Sequence, residues 1–407
     1  MKPFNPEQAL WRTSREFGEH GGVTPSIARS STFTVMDPAT MPEIFHGLRG
    51  PDKGGCFLYS RHFNPTVDVL ARYISAMEGT EFAVCTASGM SAISCTLLQL
   101  CESGDHIVSS DTIYGGTHAL LRKLFPEMGI TTTFVDPMNT ASFEKAVLKN
   151  TRVIYAETIG NPTLKVTDIP SLSKLAQKRG LTLVIDNTFM PMVVTPAKLG
   201  ADIVISSMTK FINGASDVIA GVICASRDFI YKLMDLHTGR VLLLGPTMDP
   251  RIAYDIIQRL PHLAIRMREH CKRAMAISEH LHKIGAPVTY PGLPSNPQND
   301  LIKSMVNSGY GYGGMLTIDC GTKEKAEELM SILQNKERFG LIAVSLGYYD
   351  TLMSCSGSST SSEIPPEDQS KIGLSPGLVR MAIGFTGSLD ARLEQIERSV
   401  RAVGLIT

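Results

Sequence analysis

The chain has 407 residues, 43% hydrophobic and 19% charged, an ordinary globular balance with ample apolar material for a sizeable core and a length that suggests two or three domains. Thirty-nine Lys and Arg offset thirty-nine Asp and Glu, so the formal net charge is +0 and no basic excess points to nucleic acid. No apolar run reaches the roughly 18 residues of a membrane span, and the start lacks the charged-then-apolar order of a secretory signal, so a cytoplasmic protein without membrane or nucleic-acid partners is expected.

The first fifty-odd residues are polar, Gly-rich and weakly periodic, and end in the loop GPDKGGCFLYSRHFNPT. Asn64 before Pro65 is a helix start, and Val67, Val69, Leu70, Tyr73, Ile74 and Met77 keep helical spacing to Met77. Beyond Gly79, short apolar runs alternate with mixed segments. Strands are predicted at His106–Ser109, Thr131–Val135, Arg152–Glu157, Leu181–Asp186, Ile203–Ser206 and Val218–Cys224, the pattern of an α/β domain on a mostly parallel sheet. Asp249–Ile284 reads as a long helical stretch broken at Pro261 that links two domains. Strands at Gly314–Asp319, Leu341–Leu346 and Leu378–Gly384 then give a smaller C-terminal α/β domain. Its Ser-rich segment SCSGSSTSSEIPPED reads as a loop, either an active-site edge or plain surface.

The eight cysteines, Cys56, Cys85, Cys95, Cys101, Cys224, Cys271, Cys320 and Cys355, form no CxxC pair and read as reduced thiols, Cys355 on a loop. The ten histidines offer no helical HxxxH with a carboxylate nearby, so no metal site is expected.

Five features at strand ends carry the chemistry. In CTASGMSAI, Ser88 and Gly89 open a helix whose free N–H groups suit an anion, although a simple cap explains them equally well. Tyr114, ahead of two glycines in TIYGGTHALL, is either a stacking face for a flat group or a core ring. Asn161, before Pro162, either hydrogen-bonds a ligand oxygen or holds a turn. Asp186 ends the apolar LVID run, where α/β sheets bind ligands and where acids also cap turns. Lys210 follows Ser207 and Thr209 in IVISSMTKF, hydroxyls that suit a phosphate beside an amine whose burial favours the nucleophilic form; an isolated Lys at a strand end more often reaches solvent. Together they supply phosphate donors, a stacking ring, an acid for a ring nitrogen and an amine for an aldehyde. That is the set that holds pyridoxal phosphate.

YSRHFNPT, TASGMSAI, YGGTHAL, ETIGNPTL, VIDNTF, SSMTKFINGASD and SLGYYDTLMS, in order over almost the whole chain, resemble the Cys/Met-metabolism family of pyridoxal-phosphate enzymes. EFGEHGGV, RHFNPT, YGYGG and VSLGYYDTLMSCSGSSTSS place the likeness nearest its branch, in plant-like form, that eliminates methanethiol from L-methionine. The resemblance implies a fold type I, transferase-like α/β architecture. Residues 1–60 would be an arm reaching the neighbouring subunit, 61–246 the cofactor-binding large domain with a mostly parallel central sheet, and 247–407 the small domain. It also implies a PLP-dependent carbon–sulfur lyase acting on a small amino-acid substrate and assembled as a homo-oligomer, at least a dimer and in the family a homotetramer.

By the same resemblance Lys210 would join the cofactor's aldehyde and move the substrate's protons, and Asp186 would pair with the ring nitrogen. Tyr114 would stack and serve as the acid for the leaving sulfur, and Asn161 would contact the ring oxygen. Ser88, Gly89, Met90, Ser207 and Thr209 would bind phosphate within one subunit, with Tyr59 and Arg61 arriving from its neighbour. Arg380, helped by Ser345 and Leu346, would hold the substrate carboxylate; an Arg alternating with apolar residues on a strand itself calls for an anion or a paired charge. Gly116 stands where many bacterial relatives carry Cys, which leaves the sulfur-substrate preference open, together with Tyr348 and Tyr349 at the substrate's distal end. The competing activities are γ-replacement on an O-acylated homoserine and cystathionine or cysteine lysis; a non-catalytic binding protein is the reading from a different class.

Overall fold

The computed structural model describes residues 3–45, 48–49, 57–355, 369 and 373–406. A seven-stranded sheet frames the larger unit: β1 (Phe82–Thr86), β2 (His106–Ser110), β3 (Thr131–Val135), β4 (Thr151–Glu157), β5 (Thr182–Asp186), β6 (Ile203–Ser207) and β7 (Gly221–Ala225), in the order β1-β7-β6-β5-β4-β2-β3. Only β7 runs against its neighbours. The sequence predicts these strands because the central ones are covered on both faces and are therefore apolar nearly throughout. Successive residues serve opposite cores. Ile154, Ala156, Leu183, Ile185 and Val204 pack on one side, and Val153, Tyr155, Val184, Ile203 and Ile205 on the other. β1, Phe82–Thr86 between Gly79 and the Ser88–Gly89 turn, was not predicted.

The helix Pro65–Glu78 starts where Asn64 and Pro65 place it. Asn64 Oδ1 accepts from the Thr66 and Val67 amides at 3.0 and 3.3 Å, while its Nδ2 donates to Ala28 O at 2.8 Å and Ser60 Oγ at 3.0 Å. One buried side chain thus caps the helix and ties down the lead-in. The lead-in is more ordered than its composition suggests, with a helix Pro6–Thr13 packed on Pro65–Glu78 through Leu10.

The helical stretch after residue 249 is two helices, Pro250–Arg259 and Leu263–Lys283, joined by a turn at Leu260–His262 around Pro261. Proline lacks the N–H that an unbroken helix needs there. The first helix packs against Pro65–Glu78, and apolar side chains from Met248 to Cys271 belong to the large unit's core. From Ala274 onward the second helix belongs to the core of a five-stranded sheet ordered β10-β11-β12-β9-β8. Its strands are β8 (Val288–Thr289), β9 (Met315–Asp319), β10 (Gly340–Ile342), β11 (Thr351–Cys355) and β12 (Leu378–Ala382).

Three expectations need correction here. The strand predicted at Leu341–Leu346 ends at Ile342, because Ser345 and Leu346 leave the sheet to line the cavity described below and Gly347 turns at φ +78°. Thr351–Cys355 is a buried strand that was not predicted. Cys355 therefore ends a strand instead of lying on a loop, and its Sγ is buried 3.3 Å from Pro376 O. Residues 356–368 of the Ser-rich segment, and Cys56, lie outside the described residues. The seven described cysteines are buried. Among the described residues no helix is long and apolar enough to cross a membrane, and no group of three or more His, Cys, Asp or Glu is placed to hold a metal.

Asn64→Ala removes the cap and both ties to the lead-in, and should cost about 1–2 kcal/mol. A lowered thermal midpoint is expected; an unchanged one would show that these bonds contribute nothing to stability.

Candidate active site

All strands of the large sheet except β7 point their carboxyl ends to one edge, the edge where parallel sheets bind ligands. A cavity of about 450 Å³ opens there. Its walls include Ser88, Gly89 and Met90 after β1, Tyr114 after β2, Glu157 and Asn161 at the end of β4, Asp186 at the end of β5, and Ser207, Thr209 and Lys210 at the end of β6. The small domain adds Val344, Ser345, Leu346 and Arg380. Of the residues singled out from sequence for the site, Tyr59 and Arg61 are absent from this cavity, and so are Gly116, Tyr348 and Tyr349. Arg61 sits over the Tyr59 ring at 5.5 Å and donates to Leu242 O at 2.9 Å, and Tyr59 is 46% exposed.

One end of the cavity is a donor cradle. Ser88 caps the helix Gly89–Leu100 in a capping box with Ser91, so the first turn's N–H groups face the cavity with the positive end of the helix dipole. Gly89 is required by closeness: a Cβ there would lie 2.8 Å from Ser207 Cβ. The helix start and the end of β6 therefore meet with their hydroxyls and amides converging. Thr209 Oγ1 sits on the adjoining turn and accepts from the Ala220 amide at 3.0 Å.

Two acids also line the cavity. Glu157 and Asp186 are register partners on neighbouring strands, both buried. Burial raises both carboxyls, and the charge of Asp186 raises Glu157 further. Asp186 Oδ1 accepts from the Thr188 amide at 2.9 Å, and Thr188 Oγ1 in turn accepts from the Ser207 amide at 2.8 Å. Glu157 was not singled out from sequence. Its two oxygens accept from the backbone amides of Tyr114 (2.6 Å) and Asn161 (3.1 Å), so one carboxylate fixes both neighbouring loops. The signal was present in VIYAE, an apolar strand ending in an acid as LVID does, but it became readable only with the register between the two strands.

The amine and the guanidinium meet at Ser345. Lys210 Nζ donates to Ser345 Oγ at 3.0 Å, while Arg380 Nη2 donates to Ser345 O at 3.3 Å. Arg380 Nη1 donates to Asn161 Oδ1 at 2.9 Å, leaving the amide Nδ2 of Asn161 available to a ligand. Buried Arg380 keeps its Nε without a hydrogen-bond partner among the described residues. Burial, and then the charge of Arg380, lowers the Lys210 amine to about 8; burial lowers Arg380 itself to about 10.

A model of the family described as Cys/Met metabolism PLP-dependent enzyme matches residues 9–395. The chain belongs to this family. It is 53% identical over 397 residues to a methionine γ-lyase of Arabidopsis thaliana, covering 97% of this chain and 90% of that protein. It is 38% identical over 383 residues to an L-methionine γ-lyase of Fusobacterium nucleatum subsp. polymorphum, covering 92% and 93%. Among solved structures, cystathionine γ-lyase from Lactobacillus plantarum complexed with L-serine superposes with a TM-score of 0.86 at 28% identity, covering 98% and 99% of the two chains. This Cys/Met-metabolism protein has the fold type I architecture, takes pyridoxal phosphate as cofactor and is a carbon–sulfur lyase.

The cavity fits that cofactor on its own chemistry. The cradle offers amides and hydroxyls to a phosphate. The buried acids need a positive partner, which a protonated ring nitrogen is. Lys210 offers an amine that is part neutral near physiological pH. Gly116 bears on the stacking ring, since a Cβ there would lie 2.5 Å from Tyr114 Cε1 and 3.3 Å from Met90 Sδ. A Cys at this position therefore requires a different place for the ring.

The Lys210 amine should gain reactivity as pH rises through about 8, because only the neutral form is a nucleophile. The check is acetic anhydride labelling of cofactor-free protein, read at Lys210 by peptide mass. Arg380→Met removes the repelling cation and should move the midpoint up; a midpoint unmoved or lowered would contradict the coupling.

Proposed function

We propose that this chain cleaves L-methionine by γ-elimination, taking up one water and releasing methanethiol, 2-oxobutanoate and ammonia. The observation that carries the reading is the 53% identity, over nearly the whole chain, to a protein named for that activity.

When bound, the cofactor would supply an aldehyde for the amine and a ring that accepts the electrons left on the substrate carbons. Ser88, Gly89, Met90, Ser207 and Thr209 would hold its phosphate, and Asp186 would keep its ring nitrogen protonated. Asn161 would donate Nδ2 to its ring oxygen while the Tyr114 ring covers its face. The same Asn161 orients Arg380, whose guanidinium suits a carboxylate bidentately. Arg380 with Ser345 and Leu346 would thus fix the α-carboxylate of an amino acid. The Lys210 amine, once free, would take the Cα proton and return one to the carbon skeleton; a group titrating near working pH serves both directions. The Tyr114 hydroxyl would protonate the departing sulfur.

Tyr59 and Arg61 enter this reading from a neighbouring subunit. They are supported by their separation from the cavity of their own chain and by the apolar surface of the arm, where Phe17, Val23 and Met36 are 67%, 88% and 95% exposed. Such surface calls for a cover. The smallest complete enzyme is then a homodimer, and the homotetramer is the assembly we favour, with residues 1–60 as the arm, 61–246 as the cofactor domain and 247–407 as the small domain. A cytoplasmic setting agrees with the buried thiols.

Incubation with L-methionine should yield 2-oxobutanoate, assayed as a ketoacid. No ketoacid from methionine, with product from O-acetylhomoserine plus a thiol, would reject elimination in favour of replacement. Lys210→Ala should lower turnover by about 10³-fold or more and abolish the cofactor's bound absorbance; turnover at the wild-type level would remove Lys210 from the chemistry. Arg61→Ala should weaken cofactor retention, and hybrids with Lys210→Ala subunits should regain part of the activity. Hybrids as inactive as their parents would contradict a site shared between subunits.

A further inference from the structure

Two buried side chains outside the cavity have no part in the roles above: Arg266 and His270, one turn apart on the helix Leu263–Lys283. Arg266 is 8% exposed, and among the described residues no carboxylate pairs with it. Its guanidinium instead donates to neutral acceptors. Nη1 reaches Phe211 O at 2.6 Å, Nη2 reaches Ile212 O at 2.9 Å and Arg259 O at 3.4 Å, and Nε reaches His262 Nδ1 at 3.0 Å. A cation buried without a counter-ion is costly, and an apolar side chain of that length would fill the space at less cost. What Arg266 alone provides is a fork that grips the two carbonyls immediately following Lys210. The grip is close, because a Cβ on Gly214, at φ +76°, would fall on the guanidinium, and the Gly214 amide closes back on Lys210 O at 2.8 Å.

His270 performs the matching task on the other domain. Its Nδ1 donates to Ile383 O at 2.5 Å, just beyond β12, three residues from Arg380. Its ring stands edge-on to Phe211 at 5.1 Å and to Phe385 at 5.0 Å. One helix face therefore holds the turn that carries Lys210 and the strand end that carries Arg380. From the cavity side the same turn is closed by Gly347, where a Cβ would strike the Phe211 amide, and by Ser345, which binds both Lys210 and Arg380.

We propose that Arg266 and His270 are positioning residues: together they fix the Lys210 amine relative to the Arg380 guanidinium, and so set where an amino acid held by its carboxylate lies against the lysine. The inference rests on the roles given above to Lys210 and Arg380. It assigns to this helix the registration of two domains that each supply half of the substrate geometry.

The test uses the cofactor-loaded protein and the variants Arg266→Met and His270→Phe. Arg266→Met frees the Lys210 turn, so the pH at which the absorbance of Lys210-bound cofactor titrates should move, and kcat for L-methionine should fall about 10- to 100-fold, the cost of a misplacement near 1 Å. His270→Phe keeps the aromatic packing but releases Ile383, so KM should rise with little change in the titration. Arg266→Lys, which keeps the charge and reaches one carbonyl, should recover part of kcat. If Arg266→Met yields no folded protein, Arg266→Lys and His270→Phe carry the same two readings. Variants with lower thermal midpoints but wild-type titration, kcat and KM would make both side chains purely structural and overturn the proposal. Wild-type protein that binds cofactor yet leaves methionine intact would sink the substrate assignment alone, since the titration still reports on the Lys210 turn.

Discussion

Glu157 and Asp186 are buried side by side at the ends of adjacent strands, and this pairing of like charges constrains everything around it. Burial favours the neutral form of both, and the charge of Asp186 adds to this for Glu157. Each acid can remain ionised only if donors and positive charge face it. Glu157 has two backbone amides and the nearby charge of Arg380. Asp186 has the amide and the side chain of Thr188 and also lines the open cavity. Glu157 is pushed up further than Asp186, so Asp186 is the acid we assign to the cofactor's ring nitrogen.

The positive half of the site follows the same logic. Lys210 and Arg380 share Ser345, and their repulsion in a buried setting lowers the amine into the range where it is both nucleophile and base. Arg380 is meanwhile oriented by Asn161, whose own amide is held by Glu157. A single chain of contacts therefore runs from an acid on the large sheet to the guanidinium on the small one. Moving any member shifts the geometry of both domains' contributions.

Much of this was legible in the residues. The strands β4 to β6 were readable because strands covered on both faces are apolar nearly throughout, and Asn64–Pro65 marked a helix start by local chemistry. Strand-end residues such as Asp186 and Lys210 stood out as polar groups directly after apolar runs. The strands Phe82–Thr86 and Thr351–Cys355 escaped notice, and Ser345 left its predicted strand for contacts more than a hundred residues away in sequence. Glu157, Arg266 and His270 escaped for a related reason: each acts on backbone groups of distant segments, and backbone partners leave no mark on residue identity.

By itself the sequence determined the class of the fold, the order of its strands along the chain and the inventory of groups for a cofactor, since local periodicity and residue chemistry encode these directly. Only the tertiary structure decided which groups face one another. It brought the β4 and β5 acids into register, joined Lys210 to Arg380 through Ser345, and left Tyr59 and Arg61 away from their own chain's cavity. Register, burial and the crossing of two domains depend on the whole packed chain, and no window of neighbouring residues contains them.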